Sequence, residues 1–284
     1  MCLLVVVWHL DPGMPLVIGA NRDERLDRPA RPMTVLRPLG PRILGGLDEE
    51  AGGTWLAVNE HGVVAGLTNR PSPDGRDLSK RSRGELPVAL AEHRDAASAV
   101  QDFAGRFRPR DYPPAWLLVG DRMSLYALDM TGAAENRPQV EQLGPGIHIL
   151  ENNPLHAASP KVDHVRGLLG NVGAAGTPGA LPDAAIVERL RSVLADHSIP
   201  TVLVPPPPDT GAAGGEGGGE GGAGESRTRP VETLAACVHT DNYGTRSSTI
   251  VTVPAEPEQR PRVLVADGHP CTAPWTEVTA LFET

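Results

Sequence analysis

The sequence predicts an α+β layered sandwich dominated by antiparallel sheet. Three strand–turn–strand patterns fill the first half, two short helical segments separate the second from the third, and two late strands follow a longer helix. Strands first and last with helices inserted between them do not match the regular β-α alternation of a dinucleotide-binding fold.

Val5 to Trp8 and Leu16 to Ala20 are apolar, partly β-branched runs, and Asp11-Pro12-Gly13 between them carries turn chemistry. The second hairpin runs from Thr54-Trp55-Leu56-Ala57-Val58 through Asn59-Glu60-His61-Gly62 into Val63-Val64-Ala65-Gly66-Leu67. The third joins Trp116 to Val119 and Ser124 to Leu128 across Gly120-Asp121. From Gly84 to His93 and from Ala96 to Phe107 the apolar residues fall at helical spacing, as Leu86 and Leu90, then Ala96, Val100, Phe103 and Phe107, which predicts two helices covering one sheet face. Asp183 to His197 reads as a third, with Asp183 as N-cap and a core stripe of Ile186, Val187, Leu190, Val193 and Leu194. Ser248 to Val253 and Arg262 to Val265 are the closing strands.

The 284 residues are read as one domain, 1–284, interrupted at 205–230 by a Pro- and Gly-rich insertion whose composition cannot bury enough apolar surface to offset its ordering entropy. A net charge of −9 without a basic stripe argues against nucleic acid as a partner, so a small-molecule ligand or substrate is expected. The apolar run 2–8 stops at His9 and Asp11-Pro12, too short for a signal peptide or a membrane span, which predicts a cytoplasmic protein without stable membrane insertion. Cys2, Cys237 and Cys271 are too few and too widely spaced for a disulfide framework or a Cys-x-x-Cys metal site, and no His-Glu-x-x-His, Walker or dinucleotide glycine motif is present; no metal ligand and no resident cofactor are expected.

Cys2 carries the strongest chemical signal. Removal of Met1 places a thiol and a free α-amine on one residue, and an α-amine titrating near 8 serves as that thiol's own base. The segment Asn21-Arg22-Asp23-Glu24-Arg25 loads charge onto the end of the second strand, which the hairpin brings beside Cys2. These residues read either as a solvated strand end with local ion pairs worth little or as a site in which Arg22 favours the thiolate and Asp23 or Glu24 holds the terminal ammonium. Two Asn-bearing strand ends, at Asn69 before Arg70-Pro71 and at Asn152-Asn153 before Pro154, read either as turns or as sources of an amide that stabilises an oxyanion without titrating.

Met1-Cys2, Asn21-Arg22-Asp23-Glu24 with Asp27-Arg28-Pro29, Gly53-Thr54-Trp55, Asn59-Glu60-His61-Gly62, Leu67-Thr68-Asn69, Ser82-Arg83-Gly84 and Tyr243-Gly244-Thr245-Arg246-Ser247-Ser248-Thr249 together resemble the NRDE family, also called the transport and Golgi organisation protein 2 family. The resemblance covers nearly the whole chain outside the insertion. It implies a four-layer αββα sandwich of antiparallel sheets, similar to N-terminal-nucleophile hydrolases of the choloylglycine hydrolase and penicillin V acylase type. By motif, Cys2 falls on the nucleophile, Asn69 on the oxyanion donor and Asn152 or Asn153 on the later Asn. Arg22 and Asp23 fall on the Arg/Asp pair, although here they are adjacent rather than three apart. Asn21, Glu24, Asn153 and Arg246 are placed with the ligand contacts, Arg246 toward an anionic group.

Two functions follow from the resemblance. One is a thiol amidohydrolase or acyltransferase acting on a non-peptide C–N bond; the other is a haem- or lipid-related binding protein. His9, His61, His148, His156 and His239 are candidate iron ligands for the second, with haem as the ligand and none of them in a haem attachment motif.

Overall fold

The computed structural model describes residues 2–70, 77, 79–132, 136–170, 172, 183–200 and 230–283. The 205–230 insertion, apart from Pro230, and the side chain of the expected cap Asp183 lie outside them.

Among the described residues thirteen strands and four α-helices follow in chain order. They are β1 (Cys2–Trp8), β2 (Leu16–Arg25), β3 (Ala30–Arg37), β4 (Ile43–Asp48), β5 (Leu56–Asn59), β6 (Val64–Asn69), α1 (Glu85–Ala91), α2 (Ala96–Arg106), β7 (Ala115–Gly120), β8 (Leu125–Asp129), β9 (Gln139–Gln142), β10 (Gly146–Leu150), α3 (Pro160–Leu169), α4 (Asp183–Leu194), β11 (Tyr243–Val253), β12 (Arg262–Asp267) and β13 (Trp275–Glu277). All pairings are antiparallel. One sheet has the order β10-β1-β2-β11-β12-β13, the other β3-β4-β5-β6-β7-β8-β9.

Side-chain alternation along β1 explains the layering. Leu4, Val6 and Trp8 join Leu16 and Ile18 of β2 against Leu44, Leu56, Val58, Val64 and Leu118 of the other sheet, forming the core between the sheets. Leu3, Val5 and Val7 point the other way, onto Val165 and Leu169 of α3 and Ile186, Leu190 and Leu194 of α4. Across the second sheet Val63, Ala65, Leu117 and Val119 meet Leu86 and Leu90 of α1 and Val100 and Phe103 of α2. The result is helix, sheet, sheet, helix. Every residue of β1 is buried, and at about 1.5–3 kcal/mol for each fully buried large aliphatic side chain this strand anchors the position of Cys2.

The three expected hairpins are present, each closed by the turn chemistry its residues carry. Asp11 Oδ1 accepts from the amides of Gly13 and Met14, Asn59 Oδ1 from those of His61 and Val63, and Asp121 Oδ1 from those of Met123 and Ser124. Among the described residues no helix is long and apolar enough to cross a membrane.

The Gly53-Thr54-Trp55 and Ser82-Arg83-Gly84 segments meet at van der Waals contact. Thr54 N–H donates to the Gly84 carbonyl at 2.8 Å. A Cβ on Gly53 would stand 2.3 Å from the Gly84 carbonyl carbon, and Gly53 has φ +84°. Both the conformation and the approach exclude a side chain, and because the obstacle is backbone it cannot swing aside. Gly53→Ala is therefore expected to cost about 2 kcal/mol or more, read as a lower denaturation midpoint at unchanged m value.

Candidate active site

Residues of both sheets line a cleft of about 630 Å³, and Cys2 lies in its wall. Residue pairing decides what faces the thiol. Cys2 stands opposite Arg22 in the β1–β2 ladder, so both side chains project from the same sheet face. The Arg22 guanidinium donates to Asp48 Oδ2 at 2.9 Å and lies over the Trp55 ring, 4.5 Å from its centroid. Asp48 is shared. Arg28 binds it through Nε at 2.8 Å and Nη2 at 3.1 Å, a fork-to-carboxylate contact that fixes both groups in plane. Trp55, Arg28 and Asp48 all line the cleft.

Burial tends to raise the Asp48 pKa, but the hydrogen bonds from Arg28 and the Ala51 amide and the charges of Arg28 and Arg22 more than offset it, leaving the carboxyl below its ordinary 3.8. A depressed folded-state pKa means stability present above the unfolded value and lost as pH falls through the folded one. The stability difference between the wild type and Asp48→Asn is thus expected to be full at neutral pH and to shrink below about pH 4, measured by urea denaturation across pH.

The adjacency of Arg22 and Asp23 is resolved by the strand's period of two. Arg22 faces Cys2, while the Asp23 carboxylate turns toward the helix layer, where Thr245 Oγ1 donates to it at 2.6 Å and Lys161 Nζ of α3 lies 3.6 Å away. Asp23 and Lys161 are almost fully buried. What Asp23 offers the thiol is its backbone amide. Burial pushes the Cys2 thiol above its ordinary 9.0; the amino-terminal charge pulls it back, the Asp23 carboxylate adds to the rise, and Arg22 and the hydrogen bond from the Asp23 backbone pull it down again.

Asn69 ends β6 on the opposite sheet and lines the cleft, its side chain making no hydrogen bond among the described residues. Asn152, just beyond β10, reaches across and donates through Nδ2 to the Asn69 carbonyl. Its buried Oδ1 has no partner among the described residues. That bond uses one of the two amide hydrogens, so Asn152, which lines the cleft, keeps a second donor and an acceptor oxygen. Glu24 lines the cleft beside Arg28 at 3.7 Å.

Three of the residues expected at a ligand do not line the cleft. Asn21 is buried in the helix-facing layer, where Nδ2 donates to the carbonyls of Leu194 and Ala236 and Oδ1 accepts from Ser248. Asn153 is exposed and donates to Glu151. Arg246 donates to the carbonyls of Arg25, Leu26 and Arg28; it ties down the turn after β2 instead of facing an anion. Nor do the candidate iron ligands His9, His61, His148, His156 and His239 line the cleft.

Residues 1–260 match the family model "Transport and Golgi organisation 2". The chain belongs to this family. Transport and Golgi organization protein 2 homologs from Bos taurus and Homo sapiens are each 30% identical to it, over 89% of this chain and 90% of theirs. Among solved structures, an N-acylethanolamine-hydrolyzing acid amidase ortholog from Caenorhabditis elegans superposes with a TM-score of 0.50 at 13% identity, over 90% of this family member and 94% of that chain. A variant of the conjugated bile acid hydrolase from Clostridium perfringens gives 0.44 at 9% identity, over 98% and 96%. The family member therefore has the N-terminal-nucleophile hydrolase fold, and the four layers described above are its layers.

Proposed function

We propose that this protein is an N-terminal cysteine amidohydrolase or acyltransferase that acts on a non-peptide C–N bond of a small molecule. The observation that carries the reading is the placement of the Cys2 thiol in the cleft wall, directly across the ladder from Arg22 and under the Asp23 backbone amide. The fold shared with an N-acylethanolamine-hydrolyzing amidase supports it.

After removal of Met1, the α-amine of Cys2 takes the thiol proton and the sulfur attacks the substrate carbonyl. A C–S bond forms and the carbonyl oxygen becomes an oxyanion, which the Asn69 side-chain amide stabilises. The intermediate collapses with cleavage of the C–N bond, and the α-ammonium returns its proton to the leaving amine. Water, deprotonated by the same amine, then attacks the thioester, releasing the acid and restoring the thiol. Asn152 Oδ1, a buried acceptor, suits either the α-ammonium or the substrate N–H. Arg22, held by Asp48 and Trp55, supplies a fixed positive charge beside the thiolate.

The cleft also suggests the substrate's charge. Arg22, Arg28, Arg70, Lys80, Arg81 and Arg83 outnumber Asp23, Glu24, Asp48 and Asp77 in its lining, although the whole chain is net acidic at −9. This local reversal of sign favours an amide that bears an anionic group.

The test is the intact mass of the purified protein before and after an electrophilic acyl probe. Loss of Met1 and a single adduct mapped to Cys2 are expected. Retained Met1 with no adduct at Cys2 overturns the reading.

A further inference from the structure

Away from the cleft, the fold gathers four soft donor side chains that the sequence scatters over positions 197 to 271. The ligand-capable atoms of His197, Cys237, His239 and Cys271 all lie within 4.8 Å of one another. None of these residues lines the Cys2 cleft.

We propose that His197, Cys237, His239 and Cys271 form a closed Cys2His2 site for a tetrahedral transition-metal ion of the zinc class.

The distances fit such an ion. With zinc–sulfur bonds near 2.3 Å and zinc–nitrogen bonds near 2.05 Å, a tetrahedron separates S from N by about 3.5 Å. His239 Nε2 stands 3.4 Å from Cys237 Sγ and 3.5 Å from Cys271 Sγ. The widest separation, 4.8 Å, exceeds the tetrahedral edge by about 1 Å. The exposed His197, just past the end of α4, and the partly exposed Cys271 have room to move their side chains onto the ion.

Backbone hydrogen bonds hold the three contributing segments together. Cys237 N–H donates to the Asp196 carbonyl at 2.8 Å, next to His197, and His239 forms a bridge with Gly244. The amides of Thr272 and Ala273 fold back on the His269 carbonyl at 3.0 and 2.8 Å, presenting Cys271. His269 stacks on His239 with centroids 3.9 Å apart, which fixes the plane of the ligating ring.

A divalent ion binds both sulfurs as thiolates, releasing their two protons to solvent. Four protein ligands leave no open position, which makes the site structural. Its effect on the cleft passes through the chain, because Thr240, Asn242 and Tyr243, immediately after His239, line the cleft.

The test uses the full-length chain, purified under reducing conditions, with Co²⁺ as the probe. Expected are about one Co²⁺ per chain, thiolate-to-metal charge-transfer absorption, and the intense visible bands of tetrahedral Co²⁺. The variants Cys271→Ser and His197→Ala are expected to bind at least about tenfold more weakly, and Cys2→Ala to bind as the wild type does. Zinc in the protein as isolated, and a chelator that lowers the Tm of the wild type but not of Cys271→Ser, support the site. Cys271 and His197 are accessible, so their variants retain the fold where a change at the buried Cys237 would disturb the core. Weak octahedral spectra, Co²⁺ affinity unchanged in both variants, or a Cys237–Cys271 disulfide under the same reducing conditions overturns it.

Discussion

Cys2→Ala is expected to eliminate covalent labelling by an acyl probe and to lower any amide hydrolysis by about four to six orders of magnitude, the range that follows loss of a covalent nucleophile. The fold should survive, because the change removes one sulfur from a residue at a strand's edge, a loss of about 1 kcal/mol. The control matters because two other thiols are present. Cys237 is buried and Cys271 is partly exposed, so general thiol reagents can modify Cys271 in the Cys2→Ala protein. A probe that needs acyl transfer in the cleft distinguishes them, and peptide mapping locates the adduct. The direction of the Cys2 pKa adds a pH signature. Burial pushes the thiol above its ordinary 9.0, so reaction at neutral pH depends on a base. The α-amine of processed Cys2 supplies one. Acylation should rise with pH as that amine deprotonates, and a variant retaining Met1, whose amine is one residue removed from the thiol, should lose the rise. Acylation of the unprocessed chain at the processed chain's rate would sink the built-in base.

The parts of this site that were legible in the sequence are those whose chemistry is local. Cys2 announces itself by position, and Asn69 by the hairpin it ends. The cross-strand partnership of Cys2 with Arg22 follows from the Asp11-Pro12-Gly13 turn once register is known. Hairpins and helices with strong apolar periodicity were equally readable. By contrast β3 alternates poorly, with Arg, Pro and Met among half-exposed positions, and β9 is exposed throughout; neither carries the pattern that marks a strand. Polar residues at a buried strand end carry packing roles that the sequence does not display. Asn21, placed among the ligand contacts by the family resemblance, has an amide that satisfies the carbonyls of Leu194 and Ala236, a requirement created only by packing α4 on the sheet. Lys161 gave no signal, since α3 is short and weakly amphipathic and one lysine near a helix start is ordinarily solvated. The metal-ligand cluster was invisible for the same reason: spacing along the chain carries no information when three separate segments converge.

Lys161→Met is expected to be the most damaging single substitution for stability, because it takes a buried ammonium from beside a buried carboxylate, a change that costs up to about 3–5 kcal/mol. The Lys161 and Asp23 side chains are 2% and 0% exposed, with Nζ 3.6 Å from Oδ2, so water cannot replace the lost ammonium. Thr245 Oγ1 and its 2.6 Å hydrogen bond remain, but a neutral hydroxyl does not replace the positive charge of Lys161. Methionine nearly matches lysine in length and keeps the apolar contacts of the stem, which isolates the charge. Adding Asp23→Asn should return much of the loss, because an apolar residue facing a neutral amide is far less costly than one facing a carboxylate. Urea denaturation of the two single variants and the double variant closes the cycle. The consequence for chemistry follows from the backbone: the Asp23 amide meets the Cys2 sulfur, so movement of Asp23 toward solvent withdraws a hydrogen bond from the thiolate. Lys161→Met should therefore slow acylation at Cys2 as well as lower the denaturation midpoint, and the double variant should recover both together. Recovery of stability without recovery of acylation would assign Lys161 a role in the reaction separate from its ion pair.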